Sequence, residues 1–99
     1  KGFDIKVLDL RKLTPIADYF ILVSGNSTTQ TMSIAEGIEE KMEAEGYIVS
    51  GKEGHREGRW ILLDYGDIVV HVFHKDEREF YNLEKLWSDS DELILGDMF

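Results

Sequence analysis

Residues 59–74 constrain this chain more than any other stretch. Trp60-Ile61-Leu62-Leu63-Asp64 and Asp67-Ile68-Val69-Val70-His71-Val72-Phe73-His74 are two apolar runs separated by Tyr65-Gly66. Runs this short on either side of a tight connection form a β-hairpin. Setting Asp64 opposite Asp67 pairs Leu63 with Ile68, Leu62 with Val69, Ile61 with Val70 and Trp60 with His71. Side chains alternate along a strand, so the hairpin has two different faces. Ile61, Leu63, Ile68, Val70 and Val72 form an aliphatic face suited to a core beneath a helix. Trp60, Leu62, Val69, His71 and Phe73 form an aromatic, partly polar face that needs its own cover or a partner. A hairpin apolar on both sides calls for a layered domain.

The flanking segments supply the layers. Asp4–Leu10 alternates imperfectly and is a strand. Tyr19–Val23 is a continuous apolar run, the mark of an interior strand with both faces covered. A helix follows over residues 28–45, with Ser27 and Gln30 in capping-box positions, Thr28 an equally good cap by residue type, and Ile34, Ala35, Ile38 and Met42 as its apolar stripe. Gly46 suits the left-handed position after a helix. Gly37 is discordant inside it, and close packing on the sheet is one compensation. Tyr47-Ile48-Val49 begins a third strand, followed by a polar, glycine-containing stretch over Ser50–Gly58. Residues 76–87 form a broken helix whose apolar members are Phe80, Tyr81, Leu83, Leu86 and Trp87, with Asn82 capping a second short helix. At 99 residues, this is one α/β domain.

Charge and composition narrow the function. The net charge is −9, and residues 76–99 hold eight acids against two bases. Direct, sequence-specific nucleic-acid binding is disfavoured, because phosphate contacts need clustered Lys and Arg. A basic protein partner is favoured by the same charge. There is no cysteine, hence no disulfide or thiol chemistry. No apolar run approaches the roughly 20 residues that cross a bilayer, so a membrane partner is not expected.

Residues able to carry catalysis do not assemble into a site. His71 and His74 are an odd number of residues apart on one strand and point to opposite faces. His55 lies in a polar loop with Glu53 and Glu57, without zinc-ligand spacing. Asp64 and Asp67 flank a turn, where carboxylates cap backbone amides more often than they hold magnesium. The Ser24–Thr28 turn enters a helix and has the elements of an anion cradle, yet it matches neither the Walker nor the dinucleotide pattern. Ser24 has no identifiable histidine–acid partner. No catalytic residue, metal or cofactor is assigned.

Asp18-Tyr19-Phe20-Ile21-Leu22-Val23-Ser24-Gly25-Asn26-Ser27, Ser33-Ile34-Ala35, the hairpin from Trp60 to Phe73, and Arg78-Glu79-Phe80-Tyr81-Asn82-Leu83-Glu84-Lys85-Leu86-Trp87 occur in an order and spacing that resemble the ribosomal silencing factor, or Iojap-like, family. The similarity covers nearly all of residues 4–88. It implies a small single α/β domain over residues 1–99 with a mixed five-stranded sheet and flanking helices, similar to the nucleotidyltransferase fold. It implies a non-enzymatic cytoplasmic translational repressor that binds the large ribosomal subunit through its fourteenth protein and blocks joining of the small subunit. The family usually has a helix before the first strand, which this sequence does not include, and a homodimer is compatible with the family. By this resemblance Trp60 is the anchor of a protein-binding face. Leu62 and Phe73 add apolar complementarity, His71 a polar contact, and Asp64, Tyr65 and Asp67 a rim. The alternative is a nucleotide-binding or degenerate nucleotidyltransferase-like domain, with the Ser24–Thr28 turn on phosphate and Asp64 or Asp67 on magnesium. A plain dimerisation or scaffold domain is the third reading.

Overall fold

A computed structural model describes residues 2–89 and the backbone of Asp91–Leu93. The elements run β1 (Phe3–Asp9), β2 (Tyr19–Gly25), α1 (Thr28–Ala44), β3 (Gly51–Glu53), β4 (Trp60–Asp64), β5 (Ile68–His74), α2 (Lys75–Tyr81), α3 (Leu83–Leu86) and β6 (Asp91–Leu93). The sheet order is β3-β4-β5-β2-β1-β6. Among the described residues only the β2–β5 pairing is parallel, which makes the sheet mixed. The five expected strands are present, and the three-residue β6 extends the β1 edge. β2 and β5 lie side by side in the middle, which accounts for their near-continuous apolar sequences.

The two hairpin faces belong to two cores. Ile61, Leu63, Val70 and Val72 join Val7, Ile21, Val23 and Ala35 of α1 on one side. Val69 and Phe73 join Leu8, Leu10, Ala17, Phe20 and Leu22 on the other, where Trp60, Leu62, Leu83 and Trp87 pack at the margin. Burying each of the larger aliphatic side chains contributes about 1.5–3 kcal/mol, so both layers are needed for stability.

The hairpin register differs from the expected one. Trp60 pairs with Phe73, Leu62 with His71 and Asp64 with Val69. The loop is Gly66-Asp67, closed by the Tyr65 N–H donating to the Ile68 carbonyl at 2.9 Å. Gly66 has φ +86°, and its N–H donates to Asp64 Oδ1 at 2.8 Å. A glycine at the first loop position supplies the positive φ that tight hairpin turns require. The slip is two residues, so partners change but faces do not.

The third strand also starts later than expected. The Tyr47 N–H donates to the Met42 carbonyl at 2.8 Å, holding this residue to the end of α1. Ladder pairing begins only where the Ser50 N–H reaches the Asp64 carbonyl at 2.7 Å. Tyr47 and Ile48 are left exposed.

α1 begins as expected, with Ser27 Oγ accepting from the Gln30 N–H at 3.1 Å. The Gln30 side chain returns to the Asn26 N–H, one residue earlier than the usual capping box. Gly46 follows the helix at φ +92°. Gly37 has no close packing on the sheet: a Cβ there would have nothing within 4 Å. Its only effect is the helix-propensity deficit. Gly37→Ala is therefore expected to stabilise the fold by about 1 kcal/mol. Thermal unfolding should show Tm rising by about 4–8 °C for a domain of this size.

Beyond β5 the broken helix forms as the sequence predicts, with Asn82 in the left-handed region (φ 47°) and its side chain accepting from the Lys85 N–H. Its inward residue is Arg78, only 6% exposed. The guanidinium donates to Glu84 Oε2 from Nε (3.2 Å) and Nη2 (2.9 Å), and to Ser24 Oγ from Nη1 at 2.9 Å. Nη1 also meets the Asp4 carbonyl. The β1–β2 register shifts between Phe3 and Lys6, and Asp4 sits at φ 56° within that irregularity. One side chain thus ties β1, β2, α2 and α3 together.

Candidate protein-docking face

The face opposite α1 is built from the even-numbered residues of β4 and their neighbours on β5. Trp60 is half-buried. Its ring stacks on Phe73 (centroids 4.9 Å, 30°) and leans on Tyr81 of α2 (4.7 Å, 45°). Its indole Nε1–H donates to His71 Nδ1 at 3.0 Å. Just before Trp60, Arg59 holds both carboxylate oxygens of Glu77 at 2.7 Å. That pair draws the Glu77 carboxyl below its usual range and keeps α2 beside the indole.

The candidate residues separate into supports and surface. His71 (3% exposed) and Phe73 (1%) lie beneath the indole, so they hold it in place and present little surface themselves. Leu62 is partly exposed beside Trp60, and strand alternation puts Asp64 on the same side at the far end of β4. Asp64 caps the Gly66 turn. Tyr65 points the other way and packs against the α1-side core. Asp67 is exposed in the turn, its carbonyl accepting from the Asp18 and Tyr19 N–H groups.

Sequence reasoning placed Phe80, Tyr81 and Leu86 among the apolar members of the broken helix. They are 81%, 49% and 69% exposed. Phe80 meets Tyr81 edge-on at 5.1 Å, so an aromatic row runs from Phe80 through Tyr81 to Trp60. The helical spacing held the signal: Phe80 is two residues from Arg78 and cannot share its inward face. What the sequence lacked was that arginine is the buried member.

Accepting at Nδ1 leaves the His71 proton on Nε2, which is buried without a protein partner. Burial depresses the His71 pKa from 6.5 to about 4. The unfolded chain therefore takes up this proton at a higher pH than the folded one, and acidification favours unfolding. Between pH 7 and pH 5 this group alone should remove about 2 kcal/mol of stability. His71→Gln keeps an acceptor for the indole but does not titrate. Urea unfolding across that range should be flatter in the variant; parallel profiles would show that His71 is not the cause.

The groups of the Ser24–Thr28 turn are engaged internally. Ser24 Oγ is buried and accepts from Arg78, Ser27 Oγ and the Asn26 N–H serve the helix cap, and the Thr28 carbonyl accepts from the Thr31 hydroxyl at 2.8 Å. These bonds build a helix start. Among the described residues no three His, Asp or Glu side chains are placed to hold a metal ion, and no helix is long and apolar enough to cross a membrane.

Fold and face together define a small mixed-sheet α/β domain with an aromatic surface around Trp60. Residues 1–98 match the family model described as "Ribosomal silencing factor during starvation". The chain belongs to that ribosomal silencing factor family, a family of translation regulators that includes the Iojap proteins. It is 51% identical over 87 residues to ribosomal silencing factor RsfS of Bacillus subtilis, covering 88% of this chain and 74% of that one. It is 33% identical over 96 residues to the chloroplastic Iojap protein of Zea mays, covering 96% of this chain and 41% of that one. A crystal structure of a Chromobacterium violaceum protein superposes with a TM-score of 0.86 at 40% identity, over 89% of this chain and 73% of that one. A Bacillus halodurans structure gives 0.82 at 39% identity, over 96% and 86%.

Proposed function

We propose that this chain represses translation in the cytoplasm by docking its Trp60 face on the large ribosomal subunit, through that subunit's fourteenth protein, and so keeping the small subunit from joining. The observation that carries this reading is the partly exposed indole, fixed by His71 and Phe73 and extended by Tyr81 and Phe80. Immobilised aromatics surrounded by partly covered apolar side chains are what interface hot spots are made of. Leu62 widens the apolar contact, and Asp64 and Asp67 provide a rim whose charge steers a basic partner more than it adds affinity. Steric exclusion needs no turnover, so no catalytic group, cofactor or metal is invoked.

The test is co-sedimentation of the chain with isolated large subunits, followed by addition of small subunits. The expected result is pelleting with large subunits and fewer joined ribosomes as the chain is titrated in. Pelleting without any effect on joining would contradict the steric mechanism. Absence of pelleting at saturating concentration would contradict the docking reading itself.

A further inference from the structure

On the α1 side of the sheet, at the β3 edge, lies a cleft of about 320 Å³ that the Trp60 face does not use. One wall is α1, where helical spacing lines up Glu39, Glu40 and Glu43. The other wall and floor are Tyr47, Ile48 and Tyr65. Ile48 is 69% exposed and Tyr47 48% exposed, although both directly follow the helix end in a segment that could have folded back onto the sheet. A row of glutamates alone would be an ordinary solvated helix face. Here it overlooks exposed aliphatic and aromatic surface, the combination that suits a side chain with an apolar stem and a cationic head.

The chain's own cations show how such a head sits. The Lys52 ammonium is 3.2 Å from Glu39 at the edge of the cleft. Glu40 and Glu43 have no ion-pair partner among the described residues. Burial raises the pKa of the Tyr65 hydroxyl, and Glu39 and Glu43 add to the rise. A cation entering beside the ring would meet these carboxylates at short range.

We propose that this cleft docks a basic protein segment, with the stem of an arginine or lysine and its apolar neighbour on Tyr47, Ile48 and Tyr65, and the cationic head between Glu40 and Glu43. Trp60 packs on one side of the sheet and Tyr65 on the other, so both surfaces can be occupied at once. The inference does not rest on the silencing mechanism.

The probe is a short amidated peptide of alternating arginine and leucine, titrated into the isotope-labelled chain and followed by amide NMR shifts. Shifts should centre on residues 39–49 and 65. The double substitution Glu40→Gln, Glu43→Gln should weaken binding about tenfold, and Ile48→Ser should weaken it independently. An arginine–serine peptide binding as tightly as arginine–leucine would reduce the effect to bulk charge attraction and overturn the proposal. So would equal shifts over the acidic α2–α3 region, or affinity within about twofold in the double variant. Self-association of the chain abolished by Ile48→Ser would assign the cleft to a second copy instead and equally overturn it.

Discussion

Trp60→Ala is expected to weaken large-subunit binding at least about thirtyfold, the equivalent of roughly 2 kcal/mol lost at an interface hot spot. The same change removes the stack on Phe73 and leaves His71 Nδ1 without its donor, so stability falls as well. Trp60→Phe separates the two effects. It keeps an aromatic ring over Phe73 but loses the indole N–H bond, worth about 1 kcal/mol in stability, together with part of the ring surface. If Trp60 is the anchor, binding should follow the series Trp, Phe, Ala while the folded fraction stays near complete at the assay temperature. Sedimentation titrations paired with thermal unfolding of each variant read both quantities. A folded alanine variant with wild-type affinity would remove Trp60 from the interface. Tyr81→Ala provides a cross-check, because Tyr81 leans on the indole from α2 and is itself half exposed.

The second large effect concerns Arg78. Its guanidinium is nearly inaccessible and donates to a carboxylate, a hydroxyl and a backbone carbonyl on three other elements, α3, β2 and β1. Arg78→Met fills similar volume but leaves the Glu84 carboxylate, Ser24 Oγ and the Asp4 carbonyl without a donor. Removing one member of a buried, hydrogen-bonded pair costs about 3–5 kcal/mol, and the partial exposure of Glu84 (27%) argues for the lower end. Urea unfolding should show a loss of about 3 kcal/mol. Arg78→Lys should recover only a fraction, since an ammonium cannot reproduce the planar fork. In the double variant Arg78→Met, Glu84→Gln, the loss should fall short of the sum of the two singles. A loss below about 1 kcal/mol for Arg78→Met would mean the clamp carries no stability.

The hairpin shows how much of this was legible in sequence. Alternation separated Ile61, Leu63, Val70 and Val72, expected in the core under the helix and found there, from Trp60, Leu62, His71 and Phe73, expected as a recognition face, of which Phe73 lies in a second core; this separation survives a register off by two. Parity along a strand is set locally. The partner across the ladder is set by which loop residue adopts positive φ, and Tyr65-Gly66 and Gly66-Asp67 are both reasonable before the backbone is seen. The Ser27 cap, Gly46 and Asn82 were readable for the same local reason.

What was not readable depends on distant parts of the chain. β3 forms at Gly51 and not at Tyr47 because the end of α1 holds Tyr47 through the Met42 carbonyl. Gly37 faces solvent because α1 rotates to bury Thr31, Ala35 and Met42. At the docking face, residue type pointed to Trp60 but not to its division of labour. Only the packing shows His71 and Phe73 underneath, Tyr65 on the other side, and Phe80 and Tyr81 as additional surface.

The parallel junction of β2 against β5 has a kinetic corollary. Its two strands are separated in sequence by α1, β3 and β4, so no local turn brings them together. Closing that loop loses chain entropy before any of the central sheet forms, which places the domain among the slower small folders. During synthesis β1 and β2 can pair early, but the strand that completes them emerges only after the β4–β5 turn has left the exit tunnel. Until then the apolar edge of β2 is open, and the newborn chain is at its most vulnerable to aggregation.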